Sequence, residues 1–324
     1  MRSKHINVTI DLARVRASAE AIRAKTRVAL IAVIKADAYG LGAARVAEAL
    51  APIADEFAYF SVDEAREVGR PGLVLGPPAG DPTEYRELRL RPTVANRKQA
   101  AKFAGLPVAI NVDTGMHWFG CRPEELDDLL KCSGANEVFT HAEQLASAEL
   151  LRSLCSGRQL RLHAAATALL DYPAAWLDAV RPGLALYRGA VRVTTRLTAV
   201  RAREGPAGYT RFEYPHAGII LSGYSNHLQP GPVIINGRAQ RILEVGMNTS
   251  FVCVDRSDQV GDEVVLLGDE LTEIEVAREF KIRPHEVLCR YTAMGVRHYV
   301  SSTGPLTSRS AGTTRSSAEA PRQT

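Results

Sequence analysis

Residues 29–40 read ALIAVIKADAYG: six apolar residues, then Lys35, then small residues up to Gly40. An apolar run of this length without polar alternation has the pattern of a strand buried on both faces. Seven further runs of the same kind follow: 57–62 (FAYFSV), 73–77 (LVLGP), 91–95 (RPTVA), 108–113 (VAINVD), 138–142 (VFTHA), 160–165 (LRLHAA) and 179–183 (AVRPG). Helix-like stretches such as 43–50 and 63–69 lie between them. Buried strands alternating with helices mean a parallel sheet. About eight such units in so short a span predict an α/β fold, a (β/α)8 TIM-type barrel over residues 1–190. A doubly wound open sheet is the other topology this pattern allows.

The texture changes after residue 190. Short β-rich runs appear at 217–221, 233–235, 241–245, 251–254 and 264–267, punctuated by glycines at 231, 237, 246, 261 and 268. They predict a C-terminal all-β domain over 191–303, interrupted by one helical stretch at 273–280. Residues 6–12 have the pattern of a strand that could join it. The segment 304–324 is rich in Ser, Thr, Gly, Ala and Pro and reads as a disordered tail.

Composition narrows the function. Lys+Arg 40 against Asp+Glu 36 is a thin positive excess, so neither a nucleic acid nor a membrane surface is expected as partner. The five cysteines include no CxxC pair, so free thiols in a reducing, cytoplasmic setting are expected rather than a disulfide or zinc framework. No metal site is expected. The opening residues lack the apolar core of a secretion signal, and no apolar run approaches the roughly 20 residues that cross a bilayer.

Lys35 ends the first predicted barrel strand, the end at which barrels build their active sites. There its amine can be desolvated, which lowers its pKa and makes it a nucleophile. Position alone also allows a strand-end lysine reaching out to water.

The octet around it separates these readings. VIKADAYGLG resembles the VVKADAYGHG motif of alanine racemases, in which the lysine forms a Schiff base with pyridoxal 5′-phosphate (PLP) and the tyrosine, here Tyr39, bonds the cofactor phosphate. The resemblance continues in order along the chain. NVDTGMHWFG (111–120) is similar to KVDTGMGRLG, and FTHAEQ (139–144) to the strand end that places His141. LHAAATALL (162–170) is similar to HAANSAA, which places Thr167 at the phosphate. VRPGLALYRG (180–189) is similar to VRPGIALYG, LSGYSNHLQP (221–230) to the segment containing GYADG, and EVGMNTSFVCVD (244–255) to the segment containing CMD.

The resemblance implies a PLP-dependent racemase acting on L- and D-alanine or a related small amino acid. Racemisation removes a proton from one face of Cα and returns one to the other, so two bases are needed. By resemblance these are Lys35 and Tyr224, with His141 beside Tyr224 and Arg181 holding His141. Arg181 also meets the cofactor ring nitrogen. Gly183 and Leu184 offer backbone amides to the phosphate. Tyr291 is the nearest tyrosine to the family's C-terminal phosphate contact, although an ungapped reading puts Ala293 there. The Tyr224 loop completes the active site of a second copy, so a homodimer is implied.

Two departures stand out. Asn111 replaces a lysine that supports the carboxylate-binding arginine, and Trp118 replaces that arginine. With Met247 they are the expected substrate contacts. A tryptophan offers one N–H and an apolar face where arginine offers a bidentate fork. The alternatives are therefore a PLP-binding homologue with altered substrate or decarboxylase-like chemistry, or a catalytically impaired one.

Overall fold

The computed structural model describes residues 2–202 and 205–301. The tail expected at 304–324 lies outside the described residues. Strand β1 (Ser3–Asp11) runs into the helix Leu12–Thr26, where Asp11 caps the turn by accepting from the amides of Ala13 and Arg14. Eight parallel strands then close a barrel. They are β2 (Ala29–Val33), β3 (Glu56–Tyr59), β4 (Gly72–Val74), β5 (Leu90–Val94), β6 (Ala109–Asn111), β7 (Glu137–Ala142), β8 (Arg161–Ala165) and β9 (Ala179–Val180). Pairing of Ala29 with Ala179 closes the ring.

Strand periodicity sorts the side chains. Ile31, Val33, Ala58, Leu73, Ala109, Phe139 and Ala179 meet inside the barrel. Their neighbours Leu30, Ala32 and Ile34 point outward into the larger core beneath the helices. Buried apolar groups on both faces explain why these strands read as unbroken apolar runs.

The N-terminal mouth of the barrel is closed by charge. Arg91 bridges Glu56 at 2.5 Å and Glu137 at 2.7 Å, and Arg161 reaches the same two carboxylates at 2.6 and 3.4 Å. Four strand-start side chains thus neutralise one another where the core meets solvent.

The rest is a mostly antiparallel sheet built from β1, β10 (Val191–Ala202), β11 (His216–Ile220), β12 (Pro232–Ile235), β13 (Arg238–Val245), β14 (Ser250–Cys253), β15 (Glu263–Leu267) and β16 (Gly295–Val300). β10 pairs with both β11 and β15, which ties six strands into a ring. β1 lies between β10 and β16, parallel to the latter. Two helices, Glu273–Phe280 and Pro284–Met294, precede β16. The second of these, absent from the sequence reading, lies against the barrel turn that follows β2 and supplies part of the cavity there.

Candidate active site

The turn after β2 has an unusual backbone. Ala36, Asp37, Ala38 and Tyr39 all have φ between 53° and 57°. Four consecutive non-glycine residues form a left-handed turn, a conformation costing roughly 1–2 kcal/mol per residue. Its surroundings hold it there. Asp37 accepts from the Ala43 amide at 2.7 Å and from Arg297 of β16 at 2.5 Å. The Tyr299 hydroxyl donates to the Leu41 carbonyl at 2.9 Å. At Gly40, φ is +87° and an added Cβ would lie 2.0 Å from the Thr292 hydroxyl, so only glycine admits the helix Pro284–Met294 this close.

The turn presents Lys35 and Tyr39 to a cavity of about 500 Å³ at the C-terminal mouth of the barrel. Asn111, Trp118, His141, Thr167, Arg181, Gly183 and Leu184 line the same cavity. Burial first, and then Arg181, lowers the Lys35 pKa, while Glu64 opposes the shift. Its Nζ lies 5.7 Å from the centre of the Trp118 ring. Burial pulls His141 down to about 4, helped by Arg181 and Lys35, so this imidazole is neutral at neutral pH.

Arg181 is buried and donates to three acceptors. One is His163 Nδ1, and the others are the His163 carbonyl at 3.0 Å and the Thr140 carbonyl at 2.6 Å. The sequence reading had Arg181 holding His141. The ring it bonds is His163, on the strand next to β9, and it reaches the His141 region only through the preceding carbonyl. His163 Nε2 lies 2.8 Å from Glu137 Oε1. Burial and Arg181 push His163 down to about 3, so the ring is neutral, donates to Glu137 and accepts from Arg181. Burial draws Arg181 itself down to about 9, with Glu137 opposing the shift, so it remains protonated at neutral pH.

At the other end of the cavity, Thr167 Oγ1 accepts from the Ala185 amide at 3.1 Å. A Cβ on Gly183 would lie 2.1 Å from the Tyr39 hydroxyl, so the backbone meets that tyrosine with no side chain between. Burial pushes Tyr39 up to about 12, which keeps it a phenol and a donor. His285 and Arg283 reach the same cavity from the N-terminal end of Pro284–Met294. The His285 ring stands edge-on to Tyr39, centroids 6.3 Å apart.

His285 and His163 are the site residues the sequence reading missed. His163 sat inside the quoted 162–170 motif, disguised by its apolar neighbours. Tyr291 is corrected in the other direction. It is buried in the core and does not line the cavity, whereas His285, six residues earlier, does.

Asn111 is 4% exposed, and its Oδ1 has no hydrogen-bond partner among the described residues. An orphaned acceptor facing a cavity is suited to a donor brought by a ligand. Trp118 stacks on Phe60 at 6.2 Å and lies 6.2 Å from His141, and it also walls a neighbouring cavity of about 230 Å³.

Tyr224 and Met247 do not join this set within one chain. Both are exposed, at 55% and 58%. They are held together because the Tyr224 amide donates to the Gly246 carbonyl at 2.9 Å and the Ser225 amide to the Met247 carbonyl at 3.1 Å.

Comparison with known proteins follows the same division. A family model described as alanine racemase, N-terminal domain, matches residues 10–191, and one described as alanine racemase, C-terminal domain, matches 221–299. An alanine racemase of Neisseria meningitidis serogroup C is 28% identical over 340 residues, covering 88% of this chain and 96% of that one. The biosynthetic alanine racemase of Escherichia coli K12 is 28% identical over 333 residues, with 84% and 92% covered. The crystal structure of biosynthetic alanine racemase from Pseudomonas aeruginosa superposes with a TM-score of 0.83 at 26% identity, covering 92% of this chain and all of that one. An alanine racemase from Bartonella henselae with covalently bound pyridoxal phosphate shares the fold at a TM-score of 0.82 and 22% identity, over 92% of this chain and 100% of that one.

Proposed function

The chain belongs to the alanine racemase family, and on that premise we propose that it is a PLP-dependent racemase interconverting L- and D-alanine or a related small amino acid. The observation that carries this is Lys35: its half-buried amine shares a barrel-mouth cavity of about 500 Å³ with a buried arginine. The cavity fits the cofactor. The close approach of Gly183 to Tyr39 leaves donors and bare backbone for an anion, and Asn111 Oδ1 awaits a donor.

Bound PLP would supply the electron sink that makes a carbanion at Cα accessible. Everything else falls to the chain. Lys35 Nζ would hold the cofactor covalently and, when released, take or return the proton at one face of Cα. Arg181, protonated at neutral pH and oriented by His163 and two carbonyls, would meet the ring nitrogen as a donor. Tyr39, Thr167, His285 and the amides of Gly183 and Leu184 would hold the phosphate. Trp118 walls the substrate side, where a family arginine would grip the carboxylate, so that grip is weaker here.

The second proton needs a base on the opposite face. Tyr224, remote from the cavity in its own chain, supports a homodimer in which the Tyr224–Met247 surface of one copy covers the cavity of the other. We place the enzyme in the cytoplasm, in keeping with its free thiols. The decarboxylase reading would require a cysteine in a CDG-type motif, which the sequence lacks.

Purified protein is expected to show the visible absorbance of a lysine-bound cofactor, and Lys35→Ala to lose it. L-alanine incubated in deuterium oxide should acquire deuterium at Cα while racemising. A colourless wild type that stays colourless with added PLP would overturn the cofactor assignment. Release of carbon dioxide without racemic product would overturn the reaction.

A further inference from the structure

We propose that Glu64 is the positioning residue for Lys35: its carboxylate bonds the amide of Ala36 and the amide of Phe60, and so fixes the aim of the lysine into the cavity. Glu64 does not line the cavity and would touch neither substrate nor cofactor. It acts through the peptide unit that follows Lys35. The proposal rests on reading Lys35 as the cofactor-bearing amine.

The geometry is specific. Glu64 is the third residue of the helix Val62–Val68, and the N-cap Ser61 accepts from its amide at 3.3 Å. A glutamate at that position commonly turns back to the amide of its own N-cap residue. Here Oε2 takes the Phe60 amide at 2.6 Å, and Oε1 crosses to β2's end and takes the Ala36 amide at 2.9 Å.

Ala36 is the first of the four left-handed residues, and a turn of that hand is unfavourable for alanine unless something outside it holds the entry. Asp37, Arg297 and Tyr299 hold the middle and exit. Glu64 is the contact that holds the entry, one peptide from the reactive amine. A carboxylate with both oxygens engaged by backbone amides is a strong acceptor. Its charge lies near Lys35 and opposes the lowering of that amine's pKa by burial and Arg181. The other titratable groups facing Lys35 are Cys289 and His285 on Pro284–Met294 and His141 on β7.

The test compares Glu64→Gln and Glu64→Ala with Glu67→Gln, an exposed glutamate on the same helix. Two quantities are measured in cofactor-free protein: the pH midpoint of Lys35 acylation by an activated ester, read by mass spectrometry, and deuterium exchange in the peptide containing Ala36. Both Glu64 variants should shift the Lys35 midpoint to lower pH and speed exchange at Ala36. The alanine variant, with neither bond, should exchange fastest. Glu67→Gln should match wild type on both. If Glu64→Ala does not fold, Glu64→Gln carries the test, because it keeps one acceptor and the same shape. An unchanged midpoint in Glu64→Gln overturns the proposal, and so does an equal shift in Glu67→Gln. A colourless holoprotein alongside the expected shifts would strike the cofactor reading and leave the positioning role standing.

Discussion

Arg181 donates to Nδ1 of His163, and the opposite nitrogen of that ring lies 2.8 Å from Glu137. A neutral imidazole therefore connects the arginine at the cavity floor with the charged plug at the far end of the barrel. Keeping that ring neutral has a thermodynamic consequence.

Stability should fall in acid over two windows. His163 is held near 3 and His141 near 4, against an ordinary 6.5, by burial first and by Arg181 next. The unfolded chain takes up those protons below pH 6.5 and the folded chain does not, so stability is lost as pH drops from 6.5 toward 3. Burial pushes Glu137 up, but His163 and Arg91 outweigh it and bring the carboxyl from 4.5 to about 2. Its contribution is complete above 4.5 and disappears as pH falls through about 2. Denaturant midpoints against pH check this. His163→Phe should flatten the upper window, and a slope unchanged by that substitution would count against it. At neutral pH, Glu137→Gln should cost on the order of 2 kcal/mol, since it removes charge-assisted bonds to Arg91 and Arg161 and leaves Glu56 as their one carboxylate.

Ala36→Gly should not destabilise. Glycine in a right-handed helix costs about 1 kcal/mol relative to alanine. At φ +53° the preference reverses, because only the alanine Cβ is strained there. Urea unfolding is expected to give equal stability or a gain of up to about 1 kcal/mol. A loss of that size would mean the turn is not left-handed.

Trp118→Arg should raise kcat/KM for L-alanine by about tenfold or more, the worth of a charge-assisted bidentate pair to a carboxylate. The gain should grow when Asn111→Lys is added and should appear mostly in KM. No gain in either variant would mean the carboxylate is held from elsewhere in the cavity.

Mixing two dead enzymes should restore part of the activity. In the proposed homodimer with Lys35 and Tyr224 as its two bases, Lys35→Ala and Tyr224→Phe would each remove one base from both sites. A co-expressed random mixture has about a quarter of its sites intact if the two residues meet across a two-fold interface. Activity near that fraction supports a shared site, and none would mean that Lys35 and Tyr224 act within one chain.

The barrel was legible because burial on both strand faces leaves unbroken apolar runs, and Lys35 was legible because it ends one of them. β10 was not. Its sequence, VRVTTRLTAVRA, buries Arg192, Thr194 and Thr195 among its valines, so no apolar run marks it, and it carries no turn residues to mark its ends. The left-handed turn was hidden for another reason: alanine, aspartate and tyrosine do not announce positive φ, and the contacts that hold it come from residues 64, 297 and 299. His285 escaped because resemblance drew attention to the tyrosines near it, while the edge contact with Tyr39 exists only once the chain has folded back.

β1 sits between β10 and β16, with Asn7 beside both Thr194 and Val296. During synthesis this strand emerges first among its neighbours and must wait through the whole barrel before β10 arrives, and longer for β16. Contacts this distant in sequence form late. Arg297 and Tyr299, which brace the lysine turn, and His285 beside Tyr39 belong to that same late segment. A nascent chain can thus close its barrel, with Glu64 already at the entry of the lysine turn, before Arg297 and Tyr299 brace the rest of it. Cofactor capture should therefore lag behind barrel closure, and a truncated chain ending before residue 285 is expected to hold the cofactor less well than the full chain.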